Sequence, residues 1–462
     1  AGALAGGAAC RAQASAPAPA PTVAANLIDE SFLLRVLRDV VNSRLLTAPE
    51  AGVAGVADGP RNAESLTAGT VNAGLDGDGD AGKAGDDSLE KSLEALWDLS
   101  VDAATAAFLV AHRGIAVLAG AAGRAGSEGR EAEICLGVLA NICAHPDVVN
   151  EALCADDLAE LSAAAFAALT SSDGLSVVQG LRLVCALLCG PASQRCPSLW
   201  GNESVERYLD VLERSLRWEA VRLACDALSQ GLVLEDRASE GEARCAEAAP
   251  LPFSAAPLLA QTRLPALIAT RAKELVAASM GEVTDGEGNS ETAIVSAFCL
   301  AESFLDMAPC VPDDIVMLGE AALSALRVED PRVLSAALEL LATLSEAELL
   351  SKGEDEVAGS SRGDHVLQRI AASARSLFAG PDGSGASLAE KLVLLVEGGE
   401  VGAPAATAVA LALLQGAPPG VVDEEQREVV AAAAGEAEAA GALSGVAPDF
   451  LRLLQEPQAE GG

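Results

Sequence analysis

One helix, written several times over, constrains this chain more than any other feature. In its clearest copy, Glu131 to Pro146 (EAEICLGVLANICAHP), Cys135, Val138, Leu139 and Ile142 fall at helical spacing on one broad apolar face. Glu133, Gly137, Ala140, Asn141 and Ala144 form a narrow stripe of small and polar residues on the opposite face. Laying VQGLRLVCALLCGP over EICLGVLANICAHP puts Pro191 on Pro146, and WEAVRLACDALSQ continues the series with Leu223 on Leu183. IVSAFCLAESFLDMAP and LSAALELLATLSEAE share the texture; in the second, Ser335, Glu339 and Thr343 repeat the polar stripe. A recurrence of about 40 residues built from paired helices is the range of armadillo and HEAT repeats. A proline straight after the helix suits a hard stop between repeats. The fold expected is all-α: an armadillo/HEAT-like α-solenoid of stacked helical repeats, about five to seven in number.

Composition agrees. Half of the chain is apolar, mostly Ala, Leu and Val, with few aromatics; Ala and Leu lose little side-chain freedom in a helix. Alternating β-branched and aromatic runs are nearly absent. The 67 acidic against 30 basic residues give a net charge of −37, which disfavours direct binding to nucleic acid because phosphate must be met by basic surface. The same charge keeps an Ala-rich chain soluble and permits basic protein partners. Eleven cysteines, an odd number set mostly inside helical patterns, read as buried thiols of a reducing compartment rather than a disulfide framework. No apolar run of transmembrane length lacks Gly or charge, so no membrane partner is expected.

In chain order, residues 1–25 read as a disordered Ala/Pro-rich tail, rather than the remnant of a targeting peptide. An N-terminal amphipathic helix occupies 26–46, with Ile28, Phe32, Leu33, Val36, Leu37, Val40 and Val41 at helical spacing. Residues 47–86 form a Gly/Ala/Asp linker without a period. The helical-repeat domain is expected over 87–456, with Asp87 and Glu90 as a capping pair at its start. Gly114 and the Gly-rich stretch from Ala119 to Gly129 read as loops, and further loops fall near 235–249, 281–290, 351–363 and 380–386. Phe450, Leu451, Leu453 and Leu454 suit a C-terminal capping helix, followed by a 457–462 tail.

These residues carry a family resemblance. ALWDLSVDAATAAFLV (Ala95–Val110), followed by EICLGVLANIC (Glu133–Cys143), resembles the serum amyloid A-like protein family. SFLLRVLRDVVN (Ser31–Asn42) and PDFLRLLQE (Pro448–Glu456) are similar to that family's corresponding ends. The Trp97–Ser100 segment together with Cys-x-Gly-x-Leu-x-Asn at Cys135–Asn141 is its most specific part, and the likeness spans Ser31–Asn42 and Ser92–Leu188. The resemblance implies an armadillo-type fold without catalytic activity, in an intracellular, nuclear protein that promotes proliferation. The chain departs from that pattern in its Ala/Gly enrichment and inserted loops.

In armadillo repeats an Asn on the third helix lines a groove and hydrogen-bonds an extended peptide. Asn141 matches that place, with Gly137 one turn before it. Register carries Arg182, then Arg222 and Asp226 with Trp218 a turn earlier, along the same surface. These six residues are the candidate protein-binding groove; the alternative is a solvated polar face on which Asn141 caps a loop. Trp97 is expected to pack between helices and Asp98 to cap the next one.

Other motifs lack the parts their chemistry needs. Gly77–Ala84 (GDGDAGKA) has Ala84 where a phosphate loop needs a hydroxyl, and Ala81 and Asp87 where a calcium loop needs Gly and Glu. Cys185, Cys189 and Cys196 with His145 match no zinc spacing. His112, His145 and His365 stand apart, offering no nucleophile–base pair. Arg362-Gly363-Asp364 and the sequon at Asn202–Ser204 matter only outside the cell. The expected function is a non-enzymatic intracellular scaffold for other proteins, without cofactor or metal. The alternatives are an armadillo-type co-chaperone or carrier of a defined client or basic peptide, and an enzyme of unrecognised chemistry.

Overall fold

The computed structural model describes residues 30–42, 83–124, 129–148, 153–189, 196–239, 254–280, 290–308, 310–355, 362–378, 384–398, 404–418, 420–439 and 446–455. The expectations for the 1–25 tail, most of the 47–86 linker and the 457–462 tail lie outside these residues. Among the described residues the chain is helical throughout, with no strand. The helices are α1 (Glu30–Asn42), α2 (Lys83–Leu99), α3 (Ala103–Ala111), α4 (Gly114–Arg124), α5 (Arg130–Cys143), α6 (Ala155–Leu169) and α7 (Gly174–Cys189). There follow α8 (Asn202–Arg214), α9 (Trp218–Ser239), α10 (Ala256–Gln261), α11 (Leu264–Met280), α12 (Ser290–Leu305) and α13 (Pro312–Ala325). The last are α14 (Pro331–Asp355), α15 (Arg362–Phe378), α16 (Ser384–Gly398), α17 (Pro404–Gln415), α18 (Glu424–Ala439) and α19 (Pro448–Gln455).

Local chemistry sets many of the boundaries. The Asp102 carboxylate accepts from the Thr105 amide at 2.9 Å and starts α3, a task expected of Asp98, which is exposed on α2. Cys154 and Asp157 form a reciprocal cap on α6, and Asp173 accepts from the Leu175 and Ser176 amides to start α7. Pro312 and Pro331 open α13 and α14, where a missing amide proton costs nothing. Arg113 (φ 58°) and Arg263 (φ 53°) each stand in the left-handed region between a short helix and a long one. Just before them, Thr262 Oγ1 donates to Leu259 O at 3.0 Å, while His112 Nδ1 lies 2.9 Å from Phe108 O. At Arg113 the chain turns by 85° between α3 and α4.

Packing arranges most helices in two rows. In one row α2 packs on α5, α5 on α7, α7 on α9, α9 on α12, α12 on α14 and α14 on α17. In the other, α1 packs on α4, followed in turn by α6, α8, α11, α13, α15 and α19. Rungs join the rows where α4 meets α5, α6 meets α7, α8 meets α9, α11 meets α12 and α13 meets α14. The buried cluster runs through all of them, from Leu33 to Leu454. Each Leu, Ile or Phe withdrawn from water contributes about 1.5–3 kcal/mol, which helices this short need in order to persist.

Polar side chains tie helix ends to this core. Arg271, buried on α11, donates to Leu212 O at 2.6 Å and Ser215 O at 2.7 Å, satisfying the last carbonyls of α8. Glu235 accepts from the Trp200 indole at 3.3 Å and the Ala255 amide at 2.8 Å. The Trp200 ring lies so close to Gly231 that a Cβ there would sit 2.0 Å from it.

Several boundaries differ from those expected. The stretch from Ala119, expected to be loop, is helix as far as Arg124, with Leu118, Ala119, Ala121 and Ala122 buried. Here α4 packs against α5 and α6 through its alanines, while Gly123 is exposed with nothing within 4 Å of it. α2 begins at Lys83, four residues before the expected cap at Asp87. α9 runs on to Ser239 and α14 to Asp355, both into stretches expected to be loop. At the C-terminus Phe450 and Leu454 of α19 are buried against α15 and α17, while Leu451 and Leu453 are half-buried.

Candidate functional site

The six groove candidates all lie on the row that runs from α2 to α17, but they do not share one environment. On α5 every residue from Ala132 to Cys143 is buried, including Glu133, Gly137, Ala140 and Asn141 of the stripe expected to face outward; Ala144, just beyond the helix, is exposed. The physical reason is α2. Its Trp97 ring covers Gly137 so closely that a Cβ at 137 would lie 2.5 Å from the indole. The Arg130 guanidinium stacks over the other part of this arrangement, 5.8 Å from the Trp97 ring centre, and pairs with Glu94 and Glu133 at 3.0 and 2.8 Å. Trp97 therefore packs between helices, as expected.

Asn141 is 8% exposed and fully engaged. Its amide nitrogen donates to Ser100 Oγ at 3.0 Å and Trp97 O at 3.3 Å, capping the C-terminal end of α2. Its oxygen accepts from Arg182 on α7 at 3.1 Å, and Arg182 donates also to Gln179 at 2.7 Å. The structure thus brings Gly137, Asn141 and Arg182 together in an internal joint, where the Asn141 side chain is committed to the chain itself.

The open part of the row starts at Arg182, which is half-buried, and continues along α9. On α9, Arg222 and Asp226 form a half-buried ion pair at 3.0 Å, with Trp218 half-buried a turn earlier. Burial raises the Asp226 carboxyl above the usual range; a Ser296 hydrogen bond from α12 and the Arg222 charge pull the other way. Ser229 and Ser303 link α9 to α12 at 3.0 Å, and Cys185 of α7 donates to Leu223 O of α9 at 3.4 Å. On α12 and α14 the outward residues are Glu302, Ser303, Ser335, Glu339 and Thr343, all half-buried. Burial, then the charges of Glu339 and Asp306, push the Glu302 carboxyl up to about 8. One of its oxygens is buried without a hydrogen-bond partner. Sequence reasoning singled out Glu339 but missed Glu302, Arg130 and Ser100. The signal available was position alone, since Glu302 lies one helix turn before Asp306 in a repeat copy.

Burial pushes the Cys135 thiol up to about 12 and raises those of Cys143, Cys185 and Cys225 further, so these thiols stay protonated near neutral pH. Among the described residues no three His, Cys, Asp or Glu side chains converge as metal ligands would. No single described helix is long and apolar enough to cross a membrane. The chain matches no protein-family model and no curated protein.

Proposed function

We propose that this chain is an α-solenoid of stacked armadillo/HEAT-like repeats that serves as a non-enzymatic scaffold, binding another protein along the outward face of the α7–α9–α12–α14 row. The observation that carries this reading is the continuity of that row. Successive helices pack side by side, and each joint presents half-buried polar groups: Arg182, then Arg222 and Asp226, then Glu302 and Ser303, then Glu339. A surface of this kind engages an extended or helical segment over several repeats at once. The resemblance to the serum amyloid A-like family supports the same scaffold role and an intracellular, nuclear setting. The groove belongs to α7 and the helices after it, because Gly137 and Asn141 are occupied internally.

The test is site-directed photo-crosslinking of the full chain in cells. A benzophenone side chain replacing Arg222 reports on the proposed face; one replacing Glu206, exposed on α8 of the other row, reports on the opposite side. Discrete crosslinked products from position 222 and none from 206 are expected. The same products from both positions, or none from 222, would sink the proposal.

A further inference from the structure

We infer that the seam where α12 packs against α14 is a proton-gated joint, held closed while Glu302 carries a proton and opened locally when that proton leaves. The inference concerns the cohesion of the stack itself and stands apart from the scaffold reading. It starts from a counter-ion present at the other joints and missing at this one. Glu133, buried on α5, lies 2.8 Å from Arg130, and Asp226 on α9 lies 3.0 Å from Arg222. Asp314, buried in the first turn of α13, is bound by Arg263. Glu302, near the end of α12, has no such partner. One of its oxygens is shut off from solvent without a hydrogen bond. Leu300, Ala301 and Phe304 around it in the chain are buried, and the Ser303 hydroxyl beside it is engaged with Cys299 O at 2.9 Å and Ser229 at 3.0 Å. A carboxylate in such a place gives up hydration and gains no opposite charge; a neutral carboxyl gives up far less.

The charges that face this place share one sign. Glu339 comes from α14, where it accepts from Ser335 at 3.2 Å; Asp306 follows one turn on in α12, and Asp236 of α9 faces Asp306. Asp226, nearer the start of α9, is held by Arg222 and Ser296. On α11, the third helix packed on α12, Arg271 and Lys273 are bound to Glu274 and Glu320. Among the described residues no cation acts on Glu302, Asp306 or Glu339. Burial and these neighbours hold the Glu302 carboxyl at about 8 in the closed seam, against its ordinary 4.5 in water. Opening therefore releases a proton between those values. The seam is tightest below about pH 4.5, loosens by up to about tenfold per pH unit as pH rises, and levels off above about pH 8.

Hydrogen–deuterium exchange of the full chain from about pH 5 to about pH 8, with the intrinsic base-catalysed rate divided out, reads this opening directly. In wild type the amides of 298–305 and 333–343 should open more often by up to about tenfold per pH unit, while those of α5 and α7 change less than about twofold. Glu302→Gln, which fixes the neutral form, should flatten the rise; Glu160→Gln, exposed on α6, should leave it as it is. Infrared difference spectra, wild type minus the Gln variant, give a second reading: a protonated-carboxyl band that fades as pH passes about 8. An equal rise in α5 and α7 would reduce the effect to self-repulsion of an acidic chain and overturn the inference. No rise at all, a rise that survives Glu302→Gln, or a carboxyl band already gone at about pH 6 would overturn it too.

Discussion

At the joint of α2, α5 and α7 a polar stripe is buried and satisfied; at the joint of α9, α12 and α14 a similar stripe is half-exposed and short of donors. The first holds Asn141, an amide with both donor and acceptor, and surrounds it with Ser100, the Trp97 carbonyl and Arg182. The second holds Glu302 and Glu339: the Glu302 carboxyl lies near those of Glu339 and Asp306 with one oxygen unpaired, while Ser335 donates to Glu339 at 3.2 Å. A stacked helix can seal its row when the group it presents complements the neighbour. It leaves a surface for company when the group does not. A sealed joint and an open face are thus two outcomes for polar stripes on one row of helices.

The sharpest way to break this comparison is to force the sealed joint open. Gly137→Leu drives a side chain into the Trp97 indole and should cost about 3 kcal/mol, read as a fall in thermal midpoint. Gly435→Ala, where nothing lies within 4 Å, should gain about 0.5–1 kcal/mol in the same assay. A Gly137→Leu chain as stable as wild type would mean that Trp97 does not seal α5. Next in size, Asn141→Leu removes the donor to Ser100 Oγ and the Trp97 carbonyl and the acceptor of Arg182, which keep their bonds to one another and to Gln179, and should cost about 1–2 kcal/mol. Amide exchange at the end of α2 should accelerate in parallel. If instead stability holds and partner crosslinking vanishes, Asn141 is a groove residue after all.

Glu302→Gln sharpens the other side of the comparison through pH. Burial first, then the Glu339 and Asp306 charges, push the folded-state carboxyl up to about 8, above its ordinary value of 4.5, so the folded chain binds the proton more tightly than the unfolded one. The stability that this gives is fully present below about pH 4.5 and is lost as pH rises to about 8. Wild type should therefore fall behind the Gln variant over that window, the gap in melting temperature growing with pH and then levelling. A gap that is constant with pH would mean that burial and the neighbouring carboxylates do not raise the Glu302 carboxyl. The smallest effect belongs to the Arg222–Asp226 pair, half-buried and one helix turn apart. A double-mutant cycle to Ala should return less than about 1 kcal/mol of coupling, diminished by salt.

α5, α7 and α9 were legible as helices because their signal is local. Apolar spacing marked α5, α7 and α9, and Pro146 and Pro191 lie just beyond the ends of α5 and α7. α4 was illegible: its Ala- and Gly-rich sequence suits a loop as readily as a helix, and only the burial of Leu118, Ala119, Ala121 and Ala122 against α5 and α6 decides between these. Asn141 was misplaced for the same reason. Its stripe reads as exposed until Trp97, some forty residues earlier in the chain, is laid over Gly137.

What the sequence by itself determined is what each segment can bury and in what conformation: Ala- and Leu-rich stretches at a spacing of three and four residues become helices with one greasy side. Only the tertiary structure decided which of the remaining sides stays wet. That depends on whether the neighbouring helix brings a ring and a donor, as α2 and α7 do for α5, or another carboxylate, as α14 does for α12. Such complementarity is a property of pairs of segments far apart in the chain, so no periodicity within either one records it.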